Sequence, residues 1–265
     1  MKRTLTTLFL CLAVAITTFA QGGQEKKPAE PKQADPKPAE TKPAEALPTV
    51  DQIVEKHVQA VGGKAAMEKL TTRAVKGTIE IPAMGISGPT ESYAKAPNKT
   101  VNKISLGGVG DFAQGYDGTT AWEQNPMAGF RVLSGPELAL MKREAEFHGD
   151  LKFKEMYPKA VVKGKQKLGD RDVYLVEATP AEGGPEQLYY DAQTGLLARR
   201  DFVVDSPQGQ FPTETYLEDY REVDGVKIPF TMRQTNPMVS FTIKVTEVKH
   251  NVPVDDAKFN KPASQ

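Results

Sequence analysis

Two hydrophobic periods divide the chain. Val50, Ile53, Val54, Val58 and Val61 recur at helical spacing, which is the stripe of an amphipathic helix. Thr49 and Gln52 form a capping box at its start and Gly62-Gly63 ends it. Lys64 to Leu70 reads as a short second helix carrying Ala65, Ala66, Met67 and Leu70. From residue 75 the period drops to two. Val75, Gly77, Ile79 and Ile81 alternate with Lys76, Thr78 and Glu80. Val226, Ile228, Phe230 and Met232 alternate with Lys227, Pro229, Thr231 and Arg233, and Phe241, Ile243 and Val245 with Thr242, Lys244 and Thr246. Turn signals at Asp117-Gly118, Gly169-Asp170, Asp191 to Gly195 and Asp224-Gly225 punctuate these runs. The spacing predicts about eleven to thirteen short strands. One-sided burial with short turns predicts antiparallel pairing.

One helix interrupts the strands. Ser134 and Glu137 form a second capping box with Pro136 in the first turn; Leu138, Met141, Ala145 and Phe147 follow, and Gly149 closes it. A weaker helical segment runs from Leu151 to Tyr157. The expected fold class is mainly β (α+β). It is a strongly curved antiparallel sheet, an incomplete β-barrel of about eleven strands, because sheets this wide rarely stay open and flat. The N-terminal and mid-chain helices are expected to cover its concave face.

Composition divides the chain into three zones. Residues 1–20 read as a cleavable signal peptide: Lys2 and Arg3, an apolar stretch from Leu8 to Ile16, and Thr18-Phe19-Ala20 as the cleavage site. That apolar stretch is short of the roughly 20 residues a membrane span needs. The one cysteine, Cys11, lies inside it, and Leu10 stands where a lipoprotein signal would place a small residue. Residues 21–48 contain four lysine-led pentads, starting at Lys27, Lys32, Lys37 and Lys42, rich in proline, alanine and glutamate. Such a stretch buries too little apolar surface to offset its chain entropy, so a disordered spacer is expected. Residues 49–265 remain as a single domain. Of the 34 basic and 34 acidic side chains, the leader takes two lysine and arginine charges and the spacer is balanced, so the domain carries a net −2. No field steers such a protein onto nucleic acid, and no disulfide can form. The expected localisation is the periplasm or the exterior, and the expected state a monomer.

Catalytic chemistry finds little to use. The three histidines, His57, His148 and His250, are not at metal-ligand spacing, and no His-Glu-x-x-His or Cys-x-x-Cys occurs. They are expected to be independently satisfied in the fold. No Gly-x-Ser-x-Gly elbow is present. Gly107-Gly108-Val109-Gly110 joins two predicted strands, and no helix follows it to cradle a phosphate. Lys163, Lys165 and Lys167 share one strand face, a pattern that protects an edge. No metal or cofactor is expected, and no enzyme.

The informative residues are apolar. Phe112, Tyr116, Trp122, Leu138, Met141, Phe147, Leu188, Tyr190, Phe230, Met232 and Phe241 are spread over strands and the mid-chain helix. On the inner face of a curled sheet they would line an apolar cavity, or pack one another as a core. The two methionines would let such a lining adapt to a flexible acyl chain. Arg200 is the odd residue, sharing its predicted face with Leu196, Ala198, Phe202 and Val204. Such a cation snorkels to the rim, or it bonds a helical lid or a ligand headgroup.

The segment Tyr189-Tyr190-Asp191-Ala192-Gln193-Thr194-Gly195-Leu196-Leu197, followed by Tyr216 to Pro229 with Asp224-Gly225 at its turn, resembles the strand–turn–strand signature of bacterial outer-membrane lipoprotein-sorting proteins. The resemblance implies an incomplete barrel with a helical lid. It also implies a periplasmic, non-enzymatic carrier or sensor whose partner is a lipid or lipoprotein acyl chain. It fixes no functional residue, and Arg200 is a candidate only for locking the lid. The other readings are a structural or protein-interaction module of the cell envelope with a closed core, and a hydrolase with an unrecognised site.

Overall fold

The computed structural model describes residues 46–207 and 209–262. The expected signal peptide and most of the proline-rich spacer lie outside the described residues. Leu47 onward forms one compact unit.

The chain opens with α1 (Val50–Ala60) and α2 (Lys64–Met67). Six strands follow: β1 (Thr72–Ile81), β2 (Ile86–Lys95), β3 (Lys99–Leu106), β4 (Gly110–Tyr116), β5 (Ala121–Asn125) and β6 (Gly129–Val132). Then come α3 (Gly135–Ala145), a 3-10 turn at 149–152 and α4 (Phe153–Met156). Seven more strands complete the sheet: β7 (Lys159–Leu168), β8 (Arg171–Thr179), β9 (Glu186–Asp191), β10 (Leu197–Ser206), β11 (Gly209–Val223), β12 (Val226–Thr235) and β13 (Ser240–His250). A 3-10 turn at 256–259 follows them.

All thirteen strands join one antiparallel sheet, ordered β6-β5-β4-β3-β2-β1-β13-β12-β11-β10-β9-β8-β7. Two meanders are thus zipped together at β1–β13, and among the described residues β6 and β7 are left as free edges. The sheet is more extensive than the eleven strands expected, and it is not closed. The four predicted turns join β4 to β5, β7 to β8, β9 to β10 and β11 to β12.

Its curvature follows from what α3 touches. The helix packs against β4 and β5 and also against β10. Seven strand intervals separate β4 from β10, about 34 Å if the sheet were flat. An eleven-residue helix is about 16 Å long. Only a curled sheet brings both strands to one short helix, so α3 lies across the concave face.

Register assigns the faces. Tyr116, Thr100, Ala94, Arg73 and His250 form one row across β4, β3, β2, β1 and β13. Tyr116 packs with Leu138 and Met141 of α3, so this row is concave. Gln234, Thr215, Arg200, Leu188, Val176 and Val162 form the matching row from β12 to β7. Leu188 and Val176 lie under Ile53 of α1 and under Phe153 and Tyr157. The two helices therefore cover different stretches of the same face.

Three helical expectations are corrected. α2 ends at Met67, three residues early, as Lys69 and Leu70 bond the carbonyls of Ala66 and Met67 in tighter turns. Ser134 makes no side-chain cap on α3, because Glu137 is taken by Arg131 and no capping box closes. The helix ends at Ala145 rather than Gly149. The weaker helical segment expected over 151–157 is present, as a 3-10 turn over 149–152 followed by α4. At α1 the capping box forms as expected: Thr49 Oγ1 accepts from the Gln52 amide, and the Gln52 side chain accepts from the Thr49 amide.

Candidate functional site

The concave face carries three features: an apolar bed, an ionic latch and a small cavity of mixed lining that opens to solvent. In the bed, Tyr116, Ala121 and Leu133 pack against Met141 and Ala145, with Leu138 beside them. Farther along the same face Phe112, Ile104, Phe241 and Ile243 cluster around buried Ile79, Ile81 and Leu106. Phe112, Met232 and Phe241 are only half-buried.

The latch centres on Glu186, whose side chain is 1% exposed. Arg200 on β10 forks onto it, Nε to Oε2 at 2.8 Å and Nη2 to Oε1 at 3.1 Å. Arg143 of α3 donates to Oε1 at 3.0 Å, and the Tyr157 hydroxyl to Oε2 at 2.7 Å. Arg200 also reaches Glu144 of α3, and its guanidinium lies 4.5 Å from the Phe202 ring centre. The inward cation of β10 thus bonds the helical lid, one of the two roles its position suggested. Burial alone would raise the Glu186 carboxyl; Arg200, Tyr157 and Arg143 outweigh it and hold that carboxyl below its usual range. Burial and the neighbouring carboxylates push the Tyr157 phenol well up, against the pull of Arg200. At the other end of α3, Arg131 of β6 forks onto Glu137 with both bonds at 2.7 Å and reaches Glu123 at 2.8 Å. This second clip is more open, with Arg131 34% exposed.

The cavity lies at the other end of the face. It measures about 70 Å³ and is lined by Leu70, Arg73, Phe147, His148, Asp150, Val226 and their neighbours. A second hollow, beside Arg143 and Phe202, holds about 10 Å³. Asp150 also lines the cavity, and its side chain is 50% exposed. Burial opposes its ionisation, yet His57 and Arg73 together hold its carboxyl below the usual range.

The expected lining residues are not all together. Phe112, Tyr116, Leu138, Met141, Met232 and Phe241 share the face spanned by α3. Leu188 and Tyr190 are sealed under α1 and α4. Phe147 borders the cavity, and Phe230 is buried with the Arg221 guanidinium 4.5 Å from its ring centre. Trp122 is on the convex face, since it stands opposite Gly115 rather than Tyr116. There its indole donates to the Phe259 carbonyl at 2.9 Å, and the C-terminal segment covers it.

The histidines are structural in different ways. His57 is buried, with Nδ1 3.0 Å from the Gly195 carbonyl and Nε2 3.6 Å from Asp150. His148 Nε2 lies 3.1 Å from the carbonyls of both Met67 and Leu70, so it donates there and closes the end of α2 rather than α3. His250 Nδ1 meets Asp224 at 3.1 Å, but its buried Nε2 has no partner among the described residues, which corrects the expectation that all three are satisfied. Among the described residues no cluster of three or more His, Cys, Asp or Glu side chains could hold a metal. Glu186 and Arg73 were not singled out from the sequence. The signal was the alternation Glu186, Leu188, Tyr190 and Arg73, Val75, Gly77, which puts each charge on an apolar face.

The fold is shared with solved structures. A LolA superfamily protein from Nitrosomonas europaea superposes with a TM-score of 0.54 at 15% identity, over 81% of this chain and 99% of that one. The chain has a LolA-like fold. A DUF1329 family protein from Desulfovibrio piger gives 0.53 at 15% identity, covering 80% and 97% of the two chains. A domain from Vibrio parahaemolyticus named for outer-membrane lipoprotein sorting gives 0.50 at 13% identity, covering 79% and 95%. No family model and no curated protein matches the sequence. At these identities the likeness extends to the LolA-like fold and no further.

Proposed function

We propose that the protein is an exported, non-enzymatic carrier or sensor that takes a lipid or lipoprotein acyl chain between α3 and the curved sheet. One observation carries this reading: α3 lies over an apolar bed but is held to the sheet at both ends by ion pairs. An apolar core that needed only to stay shut would gain more from well-packed hydrophobic side chains at these positions than from buried ions. Lifting α3 would join the bed under Leu138 and Met141 to the half-buried Phe112, Met232 and Phe241, forming one apolar trough. The Vibrio neighbour, named for outer-membrane lipoprotein sorting, supports the same ligand class.

Arg200→Met keeps the length of the side chain and removes the lid contact. Expected is tighter binding of a palmitoylated peptide, by about threefold to tenfold, because part of the opening cost has gone. Native mass spectrometry of the wild type and the variant measures it. Failure of both to take up the acylated peptide would sink the reading.

The cavity beside Phe147 measures only about 70 Å³, against the several hundred Å³ usual for ligand sites. That favours a second reading, an envelope interaction module with a closed core. It predicts capture of a protein partner by crosslinking and no change on unlatching α3.

A further inference from the structure

Arg73 is a cation that the latch does not use. It stands on the concave face of β1, with Ala94 of β2 on one side and His250 of β13 on the other. Among the described residues no acceptor lies within hydrogen-bond distance of its guanidinium and no carboxylate within ion-pair distance. Its central carbon lies 5.4 Å from the centre of the Phe147 ring. Asp150 shares the cavity but meets His57, at 3.6 Å. A guanidinium carries five donors in a planar fork and cannot shed its charge at neutral pH. Arg73 is half-buried and has no acceptor built into the fold, so its fork is left to water or to a ligand that enters the cavity.

Those contents are constrained by the walls. About 70 Å³ leaves room for a carboxylate group. Leu70, Phe147, Val226 and Ile228 make the remaining wall apolar. Lys227 adds a second cationic residue to the lining. An acceptor-rich planar anion with an aliphatic continuation satisfies both parts of the cavity.

We propose that the cavity beside Phe147 is a carboxylate-binding site, with the Arg73 guanidinium forking onto the headgroup of an aliphatic monocarboxylate. The headgroup site stands on Arg73 and the cavity alone; the aliphatic tail rests on the acyl-chain reading above.

Titration calorimetry of the full chain at pH 7 with sodium acetate, sodium octanoate and octanol separates the two. Octanoate is expected to bind the wild type, and Arg73→Met to weaken it by about tenfold or more, the size of a lost charge-assisted bond. Octanol binding is expected to be the same in both. Arg73→Lys keeps the charge without the fork, and an intermediate loss is expected. Should Arg73→Met fail to fold, the Lys variant decides, and octanoate affinity unchanged there overturns the fork. Arg73-dependent binding of acetate, with octanoate no tighter, upholds the carboxylate site and removes the acyl-chain reading. Octanoate bound equally by wild type and Arg73→Met overturns the site and leaves the acyl-chain reading standing. Absence of binding by both carboxylates at millimolar concentration overturns the site.

Discussion

α1 and α3 are both eleven-residue helices on the concave face, yet they are attached by opposite means. α1 is capped by Thr49 and Gln52 and sinks Ile53 among Val176, Ala178 and Leu188, none more than 3% exposed. Its polar bonds to the sheet run to carbonyls, Lys56 to Ala192 and His57 to Gly195. α3 has no side-chain cap and, above its buried bed of Tyr116, Ala121 and Leu133, is also tied down by Arg131–Glu137, Arg143–Glu186 and Arg200–Glu144. Apolar closure is non-directional and indifferent to salt; ionic closure can be undone by a proton, by salt or by a competing charge. One helix is built into the fold, and the other is fastened to it.

Breaking each attachment sharpens the contrast. The largest effect is expected for Glu186→Gln, which leaves Arg143 and Arg200 facing each other without their shared anion, at a cost of about 4 kcal/mol in urea unfolding. The depressed Glu186 carboxyl sets the pH dependence. A group whose folded value lies below the ordinary 4.5 contributes stability above that pH and loses it as pH falls through the folded value. The gap between wild type and Glu186→Gln should therefore be full at pH 7 and shrink on acidification below 4.5. A gap unchanged in acid would show that Glu186 does not carry the latch as an anion. Ile53→Ala should cost about 3 kcal/mol by opening a cavity under α1, with no dependence on salt. Arg131→Met should cost under about 1 kcal/mol, since that clip is a third exposed, and high salt should erase the difference. A large, salt-independent loss there would place α3 in the same class as α1.

Much of the sheet was legible because turn chemistry is local. Gly118 supplies the positive φ of its turn, Asp224 and Gly225 both adopt it in theirs, and period-two alternation assigns each strand its two faces. What alternation cannot give is which face of one strand continues which face of the next. Trp122 and Tyr116 were placed together for that reason, and register sets them back to back. Arg200 was visible as a cation among apolar neighbours, but its partners Glu144 and Glu186 lie 56 and 14 residues away, a distance no local pattern spans. The capping box at Ser134 fits the rule for an isolated helix. It failed because Arg131, on the adjacent strand, offers Glu137 two charge-assisted bonds in place of one amide.

The two free ends of the sheet are treated unlike. β7 bends at Gly164 and carries Lys163, Lys165 and Lys167, paired back to Glu177 and Asp172 of β8. β6 is four residues long and leaves Phe130 and Val132 exposed. A strip guarded at one end and plain at the other can extend in one direction only. Two copies meeting plain end to plain end would use up both, leaving a finished pair with guarded strands at either extremity. Growth by strand addition thus has a built-in stop, and a fibre along this axis has nowhere to begin.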